Sequence, residues 1–130
     1  FGVYAAPAVA AAFTVESNAR FIGFDETGAQ LPEAAWLRRQ VPGLRLAFRS
    51  NGHMAQAAAA RAGFGVAVLP HYLCAGDAGL VQVHLSAEPP ERELWMLTRR
   101  DSQRMARLQV VKEFLVERFR EARPAFAGPG

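Results

Sequence analysis

Residues 61–70, with the sequence Arg-Ala-Gly-Phe-Gly-Val-Ala-Val-Leu-Pro, decide the fold class of this chain. The Ala-rich run before them predicts a helix, and Gly63 is a natural terminator because glycine adopts a left-handed conformation at low cost. The apolar run Val66–Leu69 predicts a buried strand, and Pro70 begins the next segment. This order of helix, turn, strand and helix is typical of α/β folds.

The segments on both sides continue the alternation of strands and helices. The expected strands are Phe1–Ala5, Arg20–Phe24, Leu44–Arg49, Val66–Leu69, Leu80–Leu85 and Glu93–Thr98. The expected helices are Pro7–Phe13, Pro32–Gln40, Met54–Ala62 and Arg104–Arg123, followed by a frayed tail, Phe126–Gly130. Both tryptophans, Trp36 and Trp95, are expected in the core. The pattern predicts an α/β fold with a mostly parallel sheet flanked by helices.

Length and composition allow one modest domain with its own core. The chain has 130 residues, of which 51% are hydrophobic, and no apolar run approaches the roughly 20 residues of a transmembrane helix. The net charge is +3, and acidic residues interrupt the basic ones, so we expect solvated faces rather than a nucleic-acid surface. Cys74 is the single cysteine, which fits a reducing compartment. Because the chain starts without Met on an expected strand, we expect a piece of a longer protein.

Polar residues lie where the strand Leu44–Arg49 is expected to end, just before the Ala-rich helix. Ser50, Asn51 and Gly52 would present a hydroxyl, an amide and bare backbone N–H groups to a carboxylate or another anion. Because the carboxyl ends of parallel strands line one crevice in α/β proteins, a small-molecule site is expected here. The same residues also suit ordinary helix capping, worth about 1 kcal/mol, and the sequence leaves both interpretations open.

The usual sequence signals of an enzyme or a metal site are weak. Gly63 and Gly65 follow a helix and open a strand, which is the reverse of a dinucleotide-binding fingerprint. His71 and Cys74 are the one close pair with ligand spacing, and no serine sits in a nucleophile-elbow motif. We therefore expect no catalytic set, no metal and no cofactor.

Taken in order, several short segments carry a resemblance to a known family. They are Phe21-Ile-Gly-Phe-Asp25, Trp36-Leu37, Ser50-Asn51 before an Ala-rich helix, Ala62–Pro70, the Leu80-Val81 strand, and Glu93-Leu-Trp-Met-Leu97 before a long final helix. Their order and spacing resemble the effector-binding domain of LysR-type transcriptional regulators, from about Tyr4 to Phe119. The resemblance implies a fold like a type 2 periplasmic binding protein, in which a ligand sits between two lobes.

The resemblance also implies a division of the chain. Residues 1–7 would be a crossover strand from a first lobe that is missing here, and residues 8–86 would be the second lobe. Residues 87–92 would form the return crossover. Residues 93–123 would be a strand and helix of the first lobe, and residues 124–130 a tail.

By the same resemblance, the protein would be a cytoplasmic bacterial transcription regulator and not an enzyme. It would bind DNA only through a winged helix-turn-helix outside this chain, would form a homo-oligomer and would not contact membranes. The alternative is a solute-binding protein of a transporter with the same two-lobed fold.

The resemblance places the ligand of this domain at the ends of three strands. The ligand would be a small molecule, and an anionic one would be favoured by His53, which we expect to be half-ionised near neutral pH unless it simply faces solvent. Ser50 and Asn51 would be hydrogen-bond donors. The full set of expected ligand-binding residues is Ser50, Asn51, Gly52, His53, Met54, Phe24, Asp25 and Pro70.

Overall fold

The computed structural model describes residues 1–14, 19–100 and 104–128. The strands are β1 (Gly2–Ala5), β2 (Phe21–Phe24), β3 (Leu46–Ser50), β4 (Val66–Leu69) and β5 (Val81–Val83). The helices are α1 (Pro7–Ala11), α2 (Pro32–Gln40), α3 (His53–Arg61), α4 (His71–Cys74), α5 (Ala106–Glu121) and α6 (Arg123–Ala127), and a 3-10 turn spans Glu26–Gly28.

The described strands form one mixed sheet with the order β3-β2-β4-β1-β5. β2 pairs in parallel with β3 and with β4, whereas β1 pairs antiparallel with both β4 and β5. Four strands therefore run in one direction and β1 alone is reversed. The predicted α/β class with a mostly parallel sheet is confirmed, and the carboxyl ends of β2, β3 and β4 share one edge.

The helix–turn–strand motif forms as predicted and places β4 at the centre of the sheet. All four residues of β4 are buried, and so is the alanine face of α3. Gly63 has a φ of +82°, which is the left-handed conformation expected of a glycine that ends a helix. Gly65 then lets β4 pass close to the end of the loop before β2, where the Val66 N–H donates to the Arg20 carbonyl at 2.9 Å.

Helices cover both faces of the sheet and create two core clusters. On one face, the alanines of α3 pack with Ile22 of β2 and Leu69 of β4. On the other face, Trp36 and Leu37 of α2 pack with Phe21 and its neighbours, as the sequence predicted. The small alanine side chains allow α3 to lie close to the sheet.

The predicted strand Glu93–Thr98 is wrong. This segment has no regular secondary structure and pairs with no described strand, and its apolar side chains are exposed, with Trp95 at 74% and Leu97 at 87%. The prediction of a buried Trp95 is therefore also wrong, and its indole N–H donates to Glu93 Oε2 at 3.0 Å. An apolar segment becomes a strand only where a sheet edge can pair its backbone, and the described sheet ends at β3 and β5.

The last helical segment is split in two, and its end is not frayed. α5 ends at Glu121, and α6 follows at Arg123. Phe126 of α6 packs against Tyr72 of α4, with ring centroids 5.2 Å apart, and against Phe119 of α5 at 5.8 Å. These contacts correct the expectation of a frayed tail, except for residues 129 and 130, which lie outside the described residues.

Candidate ligand-binding site

The carboxyl ends of β2 and β3 lie side by side at one edge of the sheet. Their parallel register places Phe24 opposite Ser50, and the Asp25 N–H donates to the Ser50 carbonyl at 3.3 Å. β4 runs parallel to β2, so Pro70, directly after β4, lies at the same edge. The structure thus brings these predicted segments to one edge, where Pro70 itself is buried.

Helix α3 begins beside this edge without a side-chain cap. Gly52 takes the N-cap position, and it has no side chain that could accept the first N–H groups. The Ser50 hydroxyl oxygen instead accepts the Gly52 N–H at 3.3 Å, and Asn51 is exposed. The first intrahelical bond runs from the Gln56 N–H to the Gly52 carbonyl. The backbone N–H groups of residues 53–55 therefore lack intrahelical partners, as at the start of any helix.

Two close contacts fix the shape of this edge. Gln56, which is 1% exposed, donates from Nε2 to the Ser50 carbonyl at 3.1 Å and so holds the loop between β3 and α3. Gly28 lies directly against the Phe24 ring, where an added Cβ would be only 2.2 Å from Cδ1. The Phe24 ring in turn meets the His53 ring edge-on, with centroids 5.0 Å apart. The positions of the Phe24 and His53 rings are therefore fixed by local packing.

The His53 side chain is mostly buried rather than solvent-facing, with 22% of its surface exposed. It lies between the rings of Phe24 and Phe1, the latter at 5.4 Å. Burial lowers the pKa of His53, and the nearby Glu33 carboxylate only partly opposes that effect. A lowered pKa favours the neutral imidazole and goes against the expectation of a half-ionised His53. Met54, which follows it, is 72% exposed.

Asp25 caps its own turn. Its Oδ1 accepts the Thr27 hydroxyl at 2.5 Å and the Thr27 N–H at 3.0 Å, at the start of the 3-10 turn. These hydrogen bonds, led by the one from the hydroxyl, lower the pKa of Asp25. The carboxylate is thus engaged locally, and a contact between Asp25 and a ligand stays a prediction.

Sequence reasoning missed two charged residues beside the site. Glu33, in the first turn of α2, is 1% exposed; its Oε1 lies 3.4 Å from His53 Nε2 and its Oε2 lies 3.1 Å from an Arg92 guanidinium nitrogen. The one sequence signal was Pro32-Glu33, which is typical of a helix start with a favourable acidic residue. That signal reveals neither the burial nor the contact with Arg92.

The remaining histidine–cysteine pair, His71 and Cys74, consists of the first and last residues of α4. Tyr4 Oη lies 2.8 Å from His71 Nδ1, and Cys74 is buried, with burial raising the pKa of its thiol to about 12. A thiol with so high a pKa is a poor nucleophile and metal ligand at neutral pH. Among the described residues, no group of three or more His, Cys, Asp or Glu side chains could hold a metal ion.

The comparison with protein families decides the relationship. A family model described as the LysR substrate binding domain matches residues 17–120, which is most of the chain. The chain belongs to the LysR substrate-binding domain family. The described five-stranded sheet with helices on both faces is consistent with the periplasmic-binding-like fold of that family. Among curated proteins, none matches the chain.

Membership gives the site a functional context. LysR substrate-binding domains are regulatory, and they serve effector sensing in LysR-type transcription regulators. In the described part of this LysR substrate-binding domain, no helix is long and apolar enough to cross a membrane. Effector sensing is therefore the function that the family relationship suggests.

Proposed function

We propose that this chain is the effector-sensing lobe of a cytoplasmic LysR-type regulator, and that it binds a small anionic metabolite at the start of α3. The observation that carries the proposal is the start of α3 without a side-chain cap, directly after the carboxyl end of β3 beside β2. A helix start of this kind favours negative charge through both its free N–H groups and the helix dipole. The Asn51 amide and the neutral His53 ring supply further polar contacts.

The charged side chains nearby support an anion only indirectly. Arg92 is engaged with Glu33, and Asp25 is engaged with Thr27, so neither is the main ligand contact in our proposal. The backbone of α3 then provides most of the favourable charge. A small carboxylic acid fits such a site better than a cation does.

We propose that the ligand is sensed and not converted. The Ser50 hydroxyl oxygen accepts the Gly52 N–H at 3.3 Å, so this hydroxyl is engaged with the backbone. Binding would shift the balance between two lobe or subunit arrangements by differential affinity, and so alter transcription through a DNA-binding domain elsewhere in the protein.

We further propose that residues 8–86 form the second lobe and residues 93–123 belong with a first lobe. Support comes from the exposed apolar surface of the latter segment. An open groove of about 610 Å³ separates residues 96–99 from α5 and is lined by Met96, Leu97, Leu108, Val111 and Leu115, among others. Apolar surface on this scale is typical of a face that another structure covers.

A charge placed at the helix start tests the anion site. Asn51→Asp is isosteric at an exposed position, and its carboxylate would interact favourably with the open N–H groups and repel an anionic ligand. We expect the variant to fold with equal or slightly higher stability and to lose at least roughly tenfold in affinity, as a competing charge worth about 1.4 kcal/mol would produce. The measurement is a thermal-shift series with aliphatic and aromatic carboxylic acids at millimolar concentration.

Gln40→Glu is the matched control for this test. It makes the same neutral-to-negative change at the last residue of α2, at the opposite edge of the sheet from the α3 start. The uncharged amides of the same acids control for the ligand. If the acids stabilise Asn51→Asp as much as the parent chain, or if no acid stabilises the parent chain, the anion-site proposal is wrong.

A further inference from the structure

One buried carboxylate contacts two segments that are far apart in the sequence. Glu33 lies within ion-pair distance of His53 at the start of α3, at 3.4 Å, and of Arg92 at the end of residues 87–92, at 3.1 Å. Neither carboxylate oxygen has a hydrogen bond of good geometry within the described structure. The carboxylate is therefore held by charge and by burial rather than by directed bonds.

The cost of burying Glu33 makes these two contacts interdependent. A buried carboxylate is unfavourable unless a positive group compensates for it, and the loss of one partner leaves an uncompensated charge. Arg92 is the more exposed of the two partners of Glu33, because 42% of its side-chain surface is exposed against 22% for His53. Moving Arg92 away therefore leaves the His53 ring, at 3.4 Å, as the neighbour of the Glu33 carboxylate that can become positive by taking up a proton.

The charged groups around His53 act on its protonation in opposite ways. Glu33 raises the proton affinity of His53, whereas Arg92 lowers it. The amino group of Phe1 interacts electrostatically with three carboxylates, those of Glu91, Glu33 and Glu88. An anion at the start of α3 would favour protonated His53, which would compete with Arg92 for the same carboxylate.

We propose that Glu33 is a positioning residue that links the α3 start to the crossover segment 87–92. Its regulatory meaning rests on the proposed function, because the crossover would join the two lobes. Occupation of the α3 start would draw Glu33 toward His53, weaken its hold on Arg92 and free the crossover to change its arrangement. Such a shared carboxylate is a two-state element that a ligand can bias.

The test needs no ligand, so its outcome is independent of whether the anion site is correct. The His53 pKa is measured by NMR titration of the imidazole. The rigidity of the backbone in the crossover segment 87–92 is measured by the ¹⁵N heteronuclear NOE at Glu91 and Arg92. We expect Glu33→Gln to lower the His53 pKa and Arg92→Gln to raise it. Both variants should reduce the NOE at residues 91 and 92. The double variant should reduce the NOE little further than either single variant does.

Three controls make the result decisive. Glu26→Gln neutralises an exposed carboxylate in the 3-10 turn and should change neither quantity. Acetylation of Phe1 removes the amino group that also faces Glu33, and the opposite shifts of the two variants should persist. Arg92→Gln alters a partly exposed side chain, so it remains informative if Glu33→Gln does not fold. An unchanged His53 pKa in Glu33→Gln, or an unchanged NOE in Arg92→Gln, would overturn the proposal.

Discussion

Gly65→Ala is expected to lower the free energy of unfolding by about 3 kcal/mol or more. A Cβ at this position would lie 2.4 Å from the Arg20 carbonyl oxygen and 2.8 Å from its carbon, both of them backbone atoms. The φ of Gly65 is +156°, which is costly for any other residue. Relief would require β4 to move away from the segment before β2, at the centre of the sheet. Urea unfolding followed by circular dichroism measures the change.

Gly76→Ala is the control that separates the cost of backbone strain from the cost of the contact between a Cβ at position 65 and the Arg20 backbone. Gly76 also has a positive φ, of +75°, but an added Cβ there would meet nothing within 4 Å. We expect this control to cost about 1 kcal/mol, as a left-handed alanine does. If Gly65→Ala and Gly76→Ala lowered the free energy of unfolding equally, the close approach of β4 to Arg20 would not be the reason for a glycine at position 65.

The isolated chain is expected to self-associate through the groove between residues 96–99 and α5. Leu97 is 87% exposed and Val111 is 52% exposed, and both line this groove. Covering such side chains with a second copy is worth about 1.5–3 kcal/mol for each one. Leu97→Glu and Val111→Glu should each weaken association by at least roughly tenfold. Sedimentation velocity over a concentration series measures the change.

Phe64→Glu is the control for a general effect of added charge. Phe64 is also a large exposed apolar residue, at 53%, but it packs near Phe48 of β3 and lies outside the groove. It should leave self-association unchanged. A parent chain that sediments as a monodisperse monomer at all concentrations would contradict the expectation.

The elements between residues 46 and 74 could be predicted well because their signals are local. The Ala-rich helix, the turn at Gly63 and the buried run Val66–Leu69 each specify one conformation, and together they place β4 correctly. Strand direction is less local. Nothing in Phe1–Ala5 indicates that β1 pairs antiparallel with β4 and β5, because direction depends on how the chain connects the strands.

The prediction of a strand at Glu93–Thr98 failed for a different reason. The segment has the composition of a buried strand, but a strand also requires a partner edge, which the described sheet does not offer there. The docking of Phe126 on Tyr72 was likewise invisible, because it joins elements distant in the sequence. Local propensity predicts what a segment prefers, and tertiary contacts decide what it becomes.

The candidate site shows the same division. The position of Ser50–Met54 at a strand end followed from the alternation of elements. The absence of a side-chain cap did not, since Ser50 and Asn51 are both good capping residues and the N-cap proved to be Gly52. The Glu33 contact with His53 and Arg92 depends on three separate segments meeting, namely α2, α3 and residues 87–92, which no pattern in one segment can specify.

An amide shift map under titration tests the central claim most directly. The ¹⁵N-labelled chain is titrated with a carboxylic acid that stabilises it thermally, and with the uncharged amide of that acid. We predict that the acid alone produces its largest shifts at the backbone amides of residues 52–55 at the start of α3, and that Asn51→Asp abolishes them. Shifts centred elsewhere, such as around His71 and α6, or equal shifts with the amide, would contradict the account.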